Sequence, residues 1–163
     1  MDADLARLIR SLLGTPGARL FRYKGKEGWR DLDSAEVNDY FRSLTNFPYT
    51  VKDLRTWGGT LRAATVLAEL GPGKTKTEAK RNVATVLRLV ASELGNTPAI
   101  CRKAYVHPVL ITQYMRRGAT IEASNARSKR ADPLSHAPEE KALIDFLDRH
   151  FPERRRKRRP TGD

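Results

Sequence analysis

A mainly α-helical fold, a compact multi-helix domain carrying one small β-hairpin, is what this chain's residues predict, and three observations carry that reading. Apolar residues recur at three- and four-residue spacing through most of the 163 residues, the pattern of helices with one buried face. Helix-start and helix-stop residues punctuate those stripes, with Asp33 followed by Glu36, Thr75 followed by Glu78, and glycines at 14 and 95. Only one short region, Ala18 to Tyr23 and Trp29 to Leu32 on either side of the turn-rich KGKEG, alternates like a pair of strands.

Taken in order, Leu5, Leu8, Ile9, Leu12 and Leu13 form the first helical stripe, and Gly14 stops it. After the hairpin, the capping pair Asp33 and Glu36 opens a second helix whose buried face would hold Val37, Tyr40, Phe41 and Leu44. A loop, TNFPY, leads to Thr50, a suitable cap for a long helix reaching about Leu70, which GPG at 71–73 breaks. Thr75 with Glu78 starts the next helix, with Val83, Val86, Leu87, Val90 and Leu94 as its stripe and Gly95 as its end. Thr97 and Pro98 supply an N-cap and a first-turn proline, and Pro108 begins a further helix towards Arg117. The division expected is a main portion over 1–118, a polar loop over 119–138, a last amphipathic helix over 139–150 and a basic, disordered tail over 151–163. No internal repeat is visible.

Lysine and arginine outnumber aspartate and glutamate by 31 to 19, a net charge of +12. The run Arg154 to Arg159 supplies half of that excess, so the body of the chain is basic as well as its tail. A polyanion is the expected partner, nucleic acid first. Cys101 is the sole cysteine, which excludes an intrachain disulfide and a cysteine-based zinc site. His107, His136 and His150 are too scattered to suggest a metal, and no apolar run approaches the roughly 20 residues that cross a membrane. The acidic, amphipathic start is unlike a signal peptide, which points to the cytoplasm.

No glycine-rich phosphate loop and no serine triad signature is present. The residues able to carry chemistry lie in two stretches. In LGNTPAICRKAYVHP, Leu94 to Pro108, Tyr105 follows Arg102 and Lys103 at the end of a short helix. A phenol is a poor nucleophile unless nearby cations stabilise its phenolate, and these two would contribute such a field. The competing reading is a half-buried core tyrosine. In KDLRTWGGT, Lys52 to Thr60, a helix capped by Thr50 places Lys52, Arg55 and Gly59 on one face. Glycine beside arginine would let a phosphate backbone come close enough for a bidentate contact. Equally open is a helix crossing that needs small residues, since adjacent glycines cost about 1 kcal/mol each in a helix interior.

Those two stretches, in that order and at that separation, resemble the type IB DNA topoisomerases of the bacterial and poxvirus kind. EVNDYFRSL (Glu36 to Leu44) and AKRNVATVLRLVASELGNTP (Ala79 to Pro98) are similar to the same family, and the likeness runs from about Leu5 to His150. The resemblance implies the catalytic fold shared by these topoisomerases and the tyrosine recombinases. It also implies a mechanism: a tyrosine attacks a phosphodiester of double-stranded DNA, forms a 3′-phosphotyrosyl link, and the freed strand rotates before religation, with neither ATP nor metal. Tyr105 matches the nucleophile, Arg55 the second of two arginines, and Asn96 the His or Asn that helps stabilise the phosphorane. Lys52, Arg102 and Lys103 are the accompanying DNA-binding candidates. A monomeric, cytoplasmic, nucleoid-associated enzyme follows from the same resemblance.

In that family the first arginine and a lysine general acid precede this region, on a strand ending in an FRGKSG-like hairpin. The chain's own YKGKEG, Tyr23 to Gly28, matches the following strand pair by its distance from EVNDYF, so Lys24 and Lys26 read as ordinary hairpin residues. The expectation is therefore a C-terminal catalytic portion, truncated ahead of those groups, with weak or no relaxation by itself. Two alternatives stand beside it. A tyrosine recombinase usually has histidine where Lys52 stands and LGH where this chain has LGN; a non-catalytic DNA-binding remnant would leave Tyr105 idle.

Overall fold

The computed structural model describes residues 2–122 and 136–150. It contains α1 (Ala3–Leu13), β1 (Arg22–Gly25), β2 (Gly28–Asp31), α2 (Ser34–Thr45), α3 (Val51–Leu70), α4 (Lys76–Leu94), α5 (Pro98–Ala104), α6 (Pro108–Arg117) and α7 (Pro138–His150). The predicted mainly helical class holds. These elements gather into two compact units, 1–51 and 52–163. The tail at 151–163 and most of the expected polar loop, 123–135, lie outside the described residues.

In the first unit, Asp2 caps α1 by accepting the Asp4 and Leu5 amides, both at 3.0 Å. The first strand of the hairpin is shorter and later than the alternation suggested, and the second begins one residue earlier: Arg22 pairs with Asp31, Tyr23 with Arg30 and Lys24 with Trp29, around a Lys26–Glu27 turn. Gly28, at φ 121°, takes the left-handed conformation that closes this turn. The predicted capping box opens α2 reciprocally, Asp33 accepting the Glu36 amide (2.9 Å) and Glu36 the Asp33 amide (3.1 Å). The face of α2 expected to be buried is not. Tyr40 and Leu44 are each 67% exposed, and α1 and α2 contain no buried residue. A unit of this size has too little volume to enclose the apolar stripes of two helices.

The second unit holds the core. Ala63, Ala64, Val66 and Leu67 of α3 pack with Val83, Val86, Leu87 and Val90 of α4, with Leu110, Ile111 and Tyr114 of α6, and with Leu143 and Phe146 of α7. The α4 stripe is thus buried as its spacing predicts. At the start of α4, Thr75 accepts the Glu78 amide at 3.1 Å. The Glu78 carboxylate, however, takes the Lys74 amide at 2.8 Å, one residue before the cap, so the expected box is only half formed. Gly95 ends α4 at φ 63°, and Asn96 donates its amide back to Ala91 at 2.9 Å. Trp57 Nε1 on α3 donates to Glu140 on α7 at 3.3 Å. The Ala137 amide first, and then Trp57, hold the Glu140 carboxyl below its usual range. Among the described residues no helix is long and apolar enough to cross a membrane.

Candidate active site

The candidate residues of the second unit come together where α3 meets the turn after α4 and the end of α5. Gly95 reverses the chain, which places Asn96 directly after α4 and leaves Thr97 to cap α5 by accepting the Ile100 amide at 3.3 Å. Pro98 occupies the first turn of α5, where its missing amide proton costs nothing. Seven residues later α5 stops at Tyr105, whose amide donates to Cys101 O at 3.0 Å.

Arg55 reaches across from α3. Its Nη2 donates to Leu94 O at 2.7 Å, and its guanidinium carbon lies 5.3 Å from the centre of the Tyr105 ring. Asn96 Nδ2 donates to the same Leu94 oxygen at 3.0 Å. One carbonyl at the end of α4 therefore anchors two donors, and one of them, Arg55, lies over the Tyr105 ring. A guanidinium has five N–H donors, so the bond to Leu94 leaves others for a ligand. Arg55 is exposed, while Tyr105 and Asn96 are half-buried, so the three can be approached from solvent while their backbones are held.

That backbone is held by residues that the sequence reading did not single out. Thr60, buried on α3, places Oγ1 3.3 Å from Tyr105 O and accepts the His107 amide at 3.0 Å. Thr56 Oγ1 lies 3.3 Å from Ala104 O. These threonines stand one and five residues after Arg55, on the α3 face that also carries Gly59. Two small hydroxyl residues spaced four apart next to a glycine were the available signal for a face pressed against another backbone.

The two glycines prove to be unlike. A Cβ added to Gly59 would lie 2.7 Å from Tyr105 O, while one added to Gly58 would meet nothing within 4 Å. Gly59 is buried against the candidate nucleophile's own backbone rather than open to a phosphate, so the close-packing reading of this position holds.

Of the other candidates, Lys52 stands exposed one turn before Arg55 on α3. Arg102 is exposed on α5 and lines a cavity of about 520 Å³ between α4, α5 and α6, together with Val83, Leu87, Pro98 and Ile111. Lys103 is exposed beside it. The cation placed over the Tyr105 ring is Arg55, from a different helix. Cys101, fully buried, has its thiol pushed up by burial, with Arg55 opposing that shift. His107 caps α6, its Nδ1 accepting the Val109 amide at 3.3 Å, and desolvation holds its imidazole below the usual value.

With this geometry in view, comparison with known proteins is decisive at the level of family. The family described as "Eukaryotic DNA topoisomerase I, catalytic core" matches residues 4–132, well over half of the chain. The chain belongs to the DNA topoisomerase I family. A relative named DNA topoisomerase 1B, from Acanthamoeba polyphaga mimivirus, is 28% identical over 106 residues. That match covers 60% of this chain and 32% of the relative, so the chain spans about a third of the viral topoisomerase's length. Type IB topoisomerase membership, recognised from two motifs, is thus supported by independent matches. The recombinase alternative is not favoured.

Proposed function

We propose that this chain carries the tyrosine end of a type IB topoisomerase active site and cleaves and rejoins double-stranded DNA through Tyr105. The Tyr105 hydroxyl oxygen attacks a backbone phosphorus and the bond to the 5′-oxygen breaks. The tyrosine is left esterified to the 3′-phosphate, and a proton ends on the departing 5′-hydroxyl. Rotation of the freed strand and the reverse attack would relax supercoils. Arg55 and Asn96 donate to the non-bridging oxygens as negative charge grows on the pentavalent phosphorane, which is where fixed donors help most. Lys52, Arg102 and Lys103 supply backbone phosphate contacts around this centre.

The observation that carries this reading is the shared anchoring of Arg55 and Asn96 on Leu94 O with the guanidinium over the Tyr105 ring. Family membership supports the same chemistry. The basic composition supports DNA as the partner. A monomeric working state, a cytoplasmic, nucleoid-associated location and a place among enzymes of the bacterial kind belong to the same proposal, drawn from the motifs at 52–60 and 94–108.

The test is covalent capture. A duplex with a sulfur in place of the 5′-bridging oxygen releases a thiolate, which departs without a proton donor, so the readout reports Tyr105 and its donors. The chain should become linked to the 3′-side fragment in a denaturing gel, with the modified peptide containing Tyr105, and Tyr105→Phe should give no adduct. Equal adduct with Tyr105→Phe, or none from a folded chain that binds the duplex, would refute the assignment.

A further inference from the structure

Of the residues that line the cavity between α4, α5 and α6, only Arg102 is called on by the chemistry at Tyr105. The cavity holds about 520 Å³, within the roughly 300–1,000 Å³ of small-molecule sites. Its floor is apolar: Val83 and Leu87 of α4 and Ile111 of α6 are buried core residues, and Met115 of α6 is half-buried. Three exposed cations also line it, Lys80 and Arg88 from α4 and Arg102 from α5. Lys80 and Arg88 are eight residues apart, about 12 Å along the helix, so they flank the floor at its two ends. Among the described residues none of the three cations is in an ion pair, whereas Arg62 on α3 pairs with Glu93 at 2.8 Å.

The walls are fixed before anything binds. Cys101, fully buried, pins α5 to the core, and Leu110 and Tyr114 do the same for α6. The Tyr114 hydroxyl also accepts from Asn82 Nδ2 at 2.7 Å, which ties α6 to α4. A preformed cavity spares a ligand the cost of ordering its own site. Met115, unbranched and polarisable, can still adjust to the ligand's outline. Ala84 on α4 and Ala99 on α5 complete the lining with side chains too small to fill the volume.

Floor and cations together select the ligand. An uncharged apolar molecule would cover the floor and leave three like charges unrelieved. Inorganic phosphate or a DNA backbone would meet the cations and leave the apolar floor uncovered. We propose that this cavity binds a small amphiphilic anion, an apolar ring system bearing a carboxylate, sulfonate or phosphate group. The rings lie on Val83, Leu87 and Ile111, and the acid group is met by Lys80, Arg88 and Arg102. Removing the ring surface from water supplies affinity, and charge-assisted hydrogen bonds to the acid fix the orientation. The inference goes beyond the reading of the Tyr105 end and uses no DNA.

The experiment titrates the full chain, without DNA, with two fluorescent probes. One is anilinonaphthalene sulfonate; the other is phenylnaphthylamine, the same ring system without the acid. Both should bind, the sulfonate about tenfold or more tightly, because bonds to charged groups are the stronger ones. The paired change Lys80→Gln and Arg88→Gln should weaken the sulfonate about tenfold and the neutral probe less than about twofold. Ala84→Leu, which fills part of the cavity, should weaken both by about tenfold. If that variant loses its circular dichroism signature, Ala99→Phe is read instead, from an exposed position on α5. Equal affinity in a folded, filled variant and the parent would overturn the proposal, placing the probes on exposed apolar side chains such as Tyr40 and Leu44. So would equal loss of the two probes in the charge variant, or a parent that does not prefer the sulfonate, since the acid is then not read. A parent that binds neither probe overturns it as well.

Discussion

Arg55 and Asn96 donate to the same atom, Leu94 O, at 2.7 and 3.0 Å. These residues are 41 positions apart on either side of α4, and one carbonyl sets both. The two donors should therefore be coupled: removing one frees the shared acceptor and loosens the other. In a transition state stabilised by both, Arg55→Ala and Asn96→Ala should each lower adduct formation by about 10²–10³. The double variant should lose less than the product of the single losses. Arg55→Lys should recover little, because an ammonium cannot hold Leu94 O and a phosphate oxygen in a planar fork. The rate of covalent capture in the four chains measures this. Strictly multiplicative losses would show that the shared carbonyl does not couple them.

Gly58 and Gly59 make an internal control for how α3 positions Tyr105. Gly59→Ala drives a methyl to 2.7 Å from Tyr105 O and 3.3 Å from a Leu94 methyl, contacts that backbone must yield to relieve. A destabilisation of about 1–3 kcal/mol is expected, together with slower adduct formation. Gly58→Ala meets nothing and should stabilise the helix by up to about 1 kcal/mol. Urea unfolding of the two variants tests the contrast. Equal effects would mean that the α3–Tyr105 approach is looser than these distances.

Thr60 does for the backbone what Leu94 O does for the side chains. Its hydroxyl bridges Tyr105 O and the His107 amide from a buried position. Thr60→Val keeps the shape and removes the hydroxyl that serves both groups, which should cost about 1–3 kcal/mol. Thr60→Ser should restore most of the loss, since it keeps the hydroxyl. If valine is tolerated as well as serine, the bridge carries no weight.

How far the sequence could be read depended on the range of each interaction. The Asp33–Glu36 box, the Thr97–Pro98 start, the Gly95 stop and the Val83 to Val90 stripe are set by neighbours within a few positions, and all are found. Half of the Thr75–Glu78 box was misread because the Lys74 amide, just outside the motif, took the carboxylate. The exposure of Tyr40 and Leu44 was not legible either, because periodicity states which residues share a face and not whether anything covers it. At the site, residue types singled out Tyr105 and Arg55 as candidates, and the family resemblance added Asn96. Gly59 and Thr60 act through contacts about 45 positions away, which no local pattern encodes.

His107 gives the site's surroundings a pH dependence. Burial holds its imidazole below the ordinary value of 6.5, and its Nδ1 must be unprotonated to accept the Val109 amide. In the unfolded chain the ring takes up a proton as pH falls through about 6.5, whereas the folded chain resists it. The folded state is therefore at full advantage above that value and loses stability as pH falls towards the lowered folded value. His107→Asn keeps an oxygen able to cap α6 but does not titrate. Its thermal midpoint should fall less than the parent's when pH is lowered from about 7.5 to about 5, the remaining fall reflecting carboxylates such as Glu140. The comparison is a difference of differences, so the other titrating groups cancel. An equal fall in the two chains would show that His107 is not held neutral by folding.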